Sequence, residues 1–91
     1  MNLPVPPPDP GNSPALERAL PADADPHGEY REVPCGSVAE VLFGDDTWRV
    51  VDLREWQRDR RGRWRCQLEW YDGTTVRGGW FVYDGEKMRE G

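Results

Sequence analysis

Few side chains in this sequence suit covalent or proton-transfer chemistry, and they are scattered along the chain. The only histidine, His27, lies in a proline-rich stretch, apart from Cys35 and Cys66. A thiol, or a serine such as Ser37, needs a partner base to become a nucleophile, and the sequence offers no obvious one. One histidine and two separated cysteines also lack the paired spacing of a structural zinc site. We therefore expect no catalytic residue, no metal and no cofactor.

Paired carboxylates are the remaining catalytic possibility. Asp45 and Asp46 are adjacent, and Asp52, Glu55 and Glu69 lie in runs with β-strand character. A glycosidase needs two carboxylates flanking a substrate cleft, for which so small a domain has little room. A turn accounts for the adjacent pair, and cross-strand pairing with arginine accounts for the other three. The sequence thus predicts a non-enzymatic protein that acts by binding.

The most distinctive stretch is WQRDRRGRW, residues 56–64, where basic charge gathers in an acidic chain. Residues 47–65 hold seven arginines and three acids, whereas the whole chain has a net charge of −5. Tryptophan and arginine dominate the energetically important positions of protein interfaces. We therefore predict a protein-binding or regulatory module. Its predicted partner-binding residues are Trp48, Arg54, Trp56, Arg58, Arg60, Arg61, Arg63, Arg65 and Tyr71.

Two alternatives involve the same stretch. The first is single-stranded nucleic-acid binding, with the arginines on the backbone and Trp56 or Trp64 as a stacking platform. The second is a solvated hairpin tip, whose arginine stems cover the tryptophan faces. Residues 30–91 hold eleven bases and twelve acids. This near-neutral balance favours a protein partner over nucleic acid.

The beginning of the chain differs in composition from the rest. Eight of the nine prolines lie between Pro4 and Pro26, and all ten aromatic residues lie from residue 30 onward. A segment with so little apolar surface cannot offset its ordering entropy. We predict a disordered Pro-rich arm over residues 1–29, with one short helix over 14–20, and a folded domain over residues 30–91. The arm is acidic, and its charge would favour contact with the basic hairpin.

Short β-like runs separated by turn residues fill the folded domain. They are predicted at residues 37–43, 47–57, 63–71 and 74–83, with a short fifth strand or a helical turn after residue 85. A three-residue loop, 72–74, would place Trp70 opposite Val76 and Cys66 opposite Trp80. This register unites the apolar faces of the third and fourth runs.

Two local features are predicted in the second run and the turn after it. Leu53 and Trp56 have opposite parity, and a β-bulge near Arg54 and Glu55 would bring both side chains to one face. The sequence from Asp59 to Gly62 suits a type I turn in which the glycine adopts the left-handed conformation.

Bent strands, a bulge and glycines in so small a domain favour a closed barrel, which leaves no long edge strands to protect. The order of GSVAEVLF, TWRVVDL, CQLEWYDGTT and the terminal EKMRE resembles that of the SH3-like barrels of the Tudor type, over about residues 36–89. The resemblance implies a mainly β, small antiparallel SH3-like barrel of four to five strands that serves as a binding module. It also implies an aromatic cage for a methylated side chain, for which Trp48 and Tyr71 are the nearest matches.

The sequence also bears on location. No stretch approaches the roughly 20 apolar residues of a membrane span, and the first residues lack the basic and apolar runs of a signal peptide. Two cysteines do not make a disulfide framework. We expect a cytoplasmic protein with reduced thiols and no membrane association.

Overall fold

The computed structural model describes residues 10–91, and the protein is mainly β over this range. Its strands are β1 (Tyr30–Glu32), β2 (Val38–Leu42), β3 (Trp48–Arg58), β4 (Trp64–Tyr71), β5 (Val76–Val82) and β6 (Met88–Glu90). The four predicted runs correspond to β2, β3, β4 and β5, and the residues after 85 form the short strand β6. The sequence does not predict β1. Single 3-10 turns lie at Pro10–Asn12 and Pro21–Asp23.

The strands form one antiparallel sheet in the order β5-β4-β3-β2-β6. Along one edge of β3, β2 pairs with residues 48–52 and β1 pairs with residues 55–57. β5 and β6 stand at the two ends of this order, and no ladder joins them within residues 10–91. The sheet is therefore open, and it lacks the closure that a complete barrel requires.

The N-terminal segment packs against the sheet. The amide of Ala15 donates to the carbonyl of Leu42 at the end of β2, and the amide of Ala19 donates to the carbonyl of Trp80 on β5. Leu16 lies between these two contacts, is only 8% exposed and belongs to the core. The segment thus joins two strands that do not pair with each other.

These contacts contradict a disordered arm over residues 10–29, and they replace the helix predicted over 14–20. Isolated bridges pair Pro14 with Phe43 and Arg18 with Phe81, so this segment runs extended. Its own composition cannot drive ordering, but backbone hydrogen bonds to two strands and burial of Leu16 do so. Residues 1–9 of the predicted arm lie outside the described residues.

The predicted bulge in β3 is confirmed. Leu53 pairs with Leu68, whereas Glu55 pairs with Gln67, so Arg54 is the extra residue in β3. Leu53 and Trp56 consequently both pack against the core despite their opposite parity.

The predicted pairing of β4 with β5 is wrong by one residue. Trp70 pairs with Arg77 and Cys66 pairs with Phe81, so the loop has four residues, 72–75. The shift buries Phe81 in the core, at 1% exposure, and turns Trp80 to the opposite face of the sheet.

The longer loop is stabilised by the Asp72 side chain. Its carboxylate accepts hydrogen bonds at 2.8 Å from the amides of Thr74 and Thr75, and at 2.7 Å from Nε of Arg77. The Arg77 bond, followed by the two amide bonds, lowers the pKa of Asp72 to about 2. A polar loop motif therefore overrides the hydrophobic match that predicts the shorter loop.

Candidate functional site

A cleft of about 410 Å³ opens beside the bent half of β3, and we name it the aromatic cleft. Its apolar wall includes Leu53, Trp56, Trp64, Tyr83 and Met88, and its charged residues are Arg31, Arg89 and Glu90. Strands β1, β3, β4 and β6 all contribute side chains to it. The β3 bulge turns Trp56 toward the face that carries Leu53, and so positions the central ring.

Three aromatic rings give the cleft its shape. The ring of Trp56 meets that of Trp64 at a centroid distance of 6.4 Å and an angle of 86°. It meets the ring of Tyr83 at 5.5 Å and 69°. Edge-to-face contacts of this kind are favourable, so the rings hold one another in place. Tyr83 remains 48% exposed, which leaves the cleft accessible from solvent.

The two arginines of the cleft differ in how firmly they are held. Arg89 donates to Glu40 at 2.7 Å, and its guanidinium carbon lies 3.9 Å from the ring centroid of Trp48. Arg31 lies over the ring of Trp64 at 5.1 Å and approaches Glu29 only to 3.8 Å. Such a long ion pair between exposed side chains contributes little. Arg31 is therefore the better placed of the two to meet an incoming carboxylate.

Asp59 organises the hairpin tip. Its carboxylate accepts hydrogen bonds at 2.9 Å from the amides of both Arg61 and Arg63, and Gly62 has a φ of 78°. The predicted turn is thus confirmed, including its left-handed glycine. Burial alone would raise the pKa of Asp59, but the Arg63 amide and guanidinium, together with the Arg61 amide, hold it below its usual range.

The hairpin arginines bind residues 17–29 of the same chain, which we name the acidic strap. Arg63 lies 3.1 Å from Glu17 and 3.6 Å from Asp23, and it also bonds to Asp59 at 3.0 Å. Asp23 lies 3.8 Å from Arg61 as well. The contact that opposite charge favours between the N-terminal segment and the hairpin is therefore present.

The hairpin also binds the backbone of the strap. The Arg60 amide donates to the Asp23 carbonyl, and Nε of Arg60 donates to the Ala24 carbonyl, both at 2.9 Å. The side-chain amide of Gln57 donates to the Asp25 carbonyl, also at 2.9 Å. The hairpin therefore recognises peptide carbonyls in addition to carboxylates.

Arg65 differs from the other arginines because it is buried. It is 7% exposed, and its guanidinium carbon lies 4.4 Å from the ring centroid of Trp80. Its Nε and Nη1 atoms are buried without a hydrogen-bond partner. Two buried donor nitrogens without an acceptor are costly, so Arg65 is a cation whose pairing is incomplete.

Three predicted partner-binding residues lie away from the hairpin tip. Arg54 pairs with Glu69 at 3.4 Å, and Trp48 is covered by Arg89. Tyr71 is 66% exposed at the end of β4. The ring contacts that line the cleft join Trp56, Trp64 and Tyr83; they do not include the two cage positions, Trp48 and Tyr71, that the resemblance implies.

Groups suited to catalysis are not gathered in the described part of the chain. Burial raises the pKa of the Cys66 thiol to about 12, and its Sγ lies 3.8 Å from Sδ of Met88. Cys35 is exposed and free. Over residues 10–91, no three His, Cys, Asp or Glu side chains are grouped to hold a metal ion. In the same range, no helix is long and apolar enough to cross a membrane.

Comparison of the chain with protein-family models, with curated proteins and with solved structures finds no match. The geometry of the aromatic cleft and of the hairpin therefore carries the functional argument.

The sequence predicts some residues of this site and not others. Trp56 is a predicted binding residue, and it lies at the centre of the cleft. Tyr83, Met88 and Arg31 are not predicted, because the strand β1 gives no clear pattern and the β4–β5 register is one residue off. An aromatic residue at the end of the fourth run is the one signal that points to Tyr83.

Proposed function

We propose that the protein is a non-enzymatic binding module that receives an apolar or aromatic side chain of a protein partner in the aromatic cleft. The observation that carries the proposal is the accessible set of three rings in which Trp56 meets both Trp64 and Tyr83 edge to face. A cleft of about 410 Å³ has the size of a small-ligand pocket and accommodates one large side chain with its flanking backbone. Rigid aromatic walls of this kind are typical of the energetic centres of interfaces.

Charge at the cleft supports a partner with an acid next to its anchor side chain. Arg31 lies at the cleft over Trp64, and its ion pair with Glu29 is long. A carboxylate flanking the anchor would reach this guanidinium without displacing the tight pair between Arg89 and Glu40. The partner segment we propose is therefore an apolar anchor with a neighbouring Asp or Glu.

We also propose that the fold is an SH3-like barrel of the Tudor type and that the protein is located in the cytoplasm. The residues around Ala15 and Ala19 support the barrel, because they hydrogen-bond to β5 at one end of the sheet and to β2, the neighbour of β6, toward the other end. The free thiols at Cys35 and Cys66 are compatible with a reducing compartment.

Nucleic-acid binding has less support. Arg58, Arg61 and Arg63 face carboxylates of the same chain, at 3.2, 3.8 and 3.0 Å respectively. A phosphate backbone would have to displace these groups on a chain whose net charge is −5.

A pull-down from the protein's own cell extract, with and without nuclease, tests the proposal. We expect a protein to be retained after nuclease treatment, lost with Tyr83→Ala and retained with Tyr71→Ala. Tyr71 is the matched control because it is an exposed tyrosine outside the cleft. Retention that depends on nucleic acid, or that is unaffected by Tyr83→Ala, would contradict the proposal.

A further inference from the structure

Beside its backbone hydrogen bonds to Arg60 and Gln57, the acidic strap contacts the hairpin through ion pairs that are weak individually. Its four carboxylates are Glu17, Asp23, Asp25 and Glu29. Asp23 and Glu29 contact the hairpin arginines at 3.2 to 3.8 Å, and most of the side chains involved are at least partly exposed. Exposed pairs of this kind are screened by salt and contribute little each. The strap is thus a ligand that another chain can displace.

The two ends of the strap are held differently. Near its start, the carbonyl of Glu17 accepts from the amide of Val82, beside the buried Leu16. Beyond Ala19, no strap side chain belongs to the buried core, and Leu20 is 56% exposed. Residues 20–29 are held by ion pairs and hydrogen bonds alone, including one of 2.8 Å from the Arg58 amide to the Glu29 carbonyl. They can therefore leave the hairpin while Leu16 stays in place, once an incoming chain replaces these bonds.

The strap contacts the residues on either side of Arg65 in the sheet. This residue pairs with Gln57 on one side and with Val82 on the other, and directly paired residues share a face of a sheet. Both neighbours hydrogen-bond to the strap, Gln57 to the Asp25 carbonyl and Val82 to the Glu17 carbonyl. Arg65 lies buried between these contacts, with its Nε and Nη1 atoms unpaired.

The strap therefore leaves some hydrogen-bond donors of this surface without an acceptor. Its carboxylates reach Arg58, Arg61 and Arg63 at the tip but leave two nitrogens of Arg65 without an acceptor. A segment that placed a carboxylate at Arg65 would gain a charge-assisted hydrogen bond that the strap lacks. Such a segment would compete well for the same surface.

We propose that the surface beside the strap, from Arg65 to the hairpin tip, is a second binding site for an acidic segment of a partner protein, and that the strap is its built-in competitor. The surface fits a polypeptide because Arg60 and Gln57 bind the carbonyls of three consecutive strap residues, Asp23, Ala24 and Asp25. This site is separate from the aromatic cleft and does not depend on the function proposed for it.

Gly28 offers a way to open the strap without altering the binding surface. A Cβ atom at this position would clash with the backbone oxygen of Arg58, so Gly28→Ala must push the strap away from β3. The neighbouring exposed residue His27 provides the matched control, His27→Ala. Hydrogen exchange of the amides of residues 20–29 reports whether the strap has opened. If the strap remains closed in Gly28→Ala, the variant Asp23→Arg, which reverses one charge of the strap, is used as the open variant.

The affinity of the full chain is measured by titration with three probes: a peptide with the sequence of residues 17–29, an oligoglutamate of the same length, and an oligothymidine. We expect the open variant to bind oligoglutamate at least about tenfold more tightly than wild type or His27→Ala. We expect it to prefer oligoglutamate to the strap peptide, and Arg65→Met in the same background to remove that preference. Tyr83→Ala should leave this binding unchanged, which separates the site from the aromatic cleft.

Three results would overturn the proposal. The first is an open strap without any gain in affinity for the acidic peptides. The second is a preference for oligoglutamate that survives Arg65→Met. The third is tighter binding of oligothymidine than of either peptide, which would assign the surface to single-stranded nucleic acid.

Discussion

The ring of Trp56 lies edge-on to that of Tyr83, with the centroids 5.5 Å apart, although Tyr83 directly follows β5, which β4 separates from β3 in the sheet. The bulge at Arg54 makes this contact possible, because it turns Trp56 to the same face as Leu53. One extra residue in β3 thus places the Trp56 ring at the centre of the aromatic cleft.

The packing of the N-terminal segment predicts a large cost for Leu16→Ala. Leu16 is buried among core residues, so its truncation should lower the free energy of unfolding by about 2–4 kcal/mol. Leu20→Ala is the matched control; Leu20 is 56% exposed, so the change should be within about 0.5 kcal/mol. Urea unfolding followed by tryptophan fluorescence measures both. Equal, small effects would show that the segment does not pack on the sheet.

Arg65→Met is predicted to preserve or raise stability. The substitution removes a buried cation with two unpaired nitrogens and keeps a long apolar side chain against Trp80. Loss of the cation–π contact offsets part of this gain, so we expect the free energy of unfolding to rise by about 1 kcal/mol. Gln67→Met on the same face of β4 controls for added apolar surface. A clear loss of stability confined to Arg65→Met would contradict incomplete pairing of the guanidinium.

Acid should destabilise the protein through Asp72. The pKa of this carboxyl is about 2 in the folded protein, below its value of about 3.9 in an unfolded chain. The deprotonated group therefore stabilises the fold above about pH 4, and this contribution is lost as the pH falls from about 4 to about 2. The stability difference between wild type and Asp72→Asn should shrink over this window. Urea unfolding at a series of pH values measures it.

Arg77 supplies the largest part of the effect on Asp72, through a hydrogen bond of 2.7 Å. Arg77→Gln should therefore raise the pKa of Asp72, so that the stability contributed by this carboxylate is lost at a higher pH. A transition that is identical in wild type, Arg77→Gln and Asp72→Asn would place its origin elsewhere in the molecule.

Part of this structure follows from local patterns in the sequence. The parity conflict between Leu53 and Trp56 predicts the bulge, and the residues from Asp59 to Gly62 predict the turn, because each depends on neighbours in the chain. The β4–β5 register does not follow, since the Asp72 side chain stabilises a four-residue loop that hydrophobic matching disfavours. A register chosen by matching apolar residues does not account for the side-chain hydrogen bonds that stabilise such a loop.

The N-terminal segment shows the limit of composition as a guide. Proline content and low apolar content predict disorder, yet one leucine and a few backbone hydrogen bonds order the described part of the segment. These contacts are supplied by strands far along the chain. The site is affected as well, since Arg58, Arg61 and Arg63 of the predicted binding stretch are paired with Glu29, Asp23 and Glu17 of the N-terminal segment.

The central claim is that the aromatic cleft receives a partner's side chain, and the indole N–H signals of the tryptophans test it most directly. Peptides selected from a random library against the full chain serve as the probe, and they are titrated into ¹⁵N-labelled protein. We expect the signals of Trp56 and Trp64 to shift while that of Trp70, whose indole donates to the Asn12 carbonyl, stays in place. Tyr83→Ala should weaken binding at least about tenfold, and Tyr71→Ala should not. Failure to select any peptide, or shifts confined to Trp48 and Trp80 with Tyr83→Ala binding as wild type, would contradict the claim.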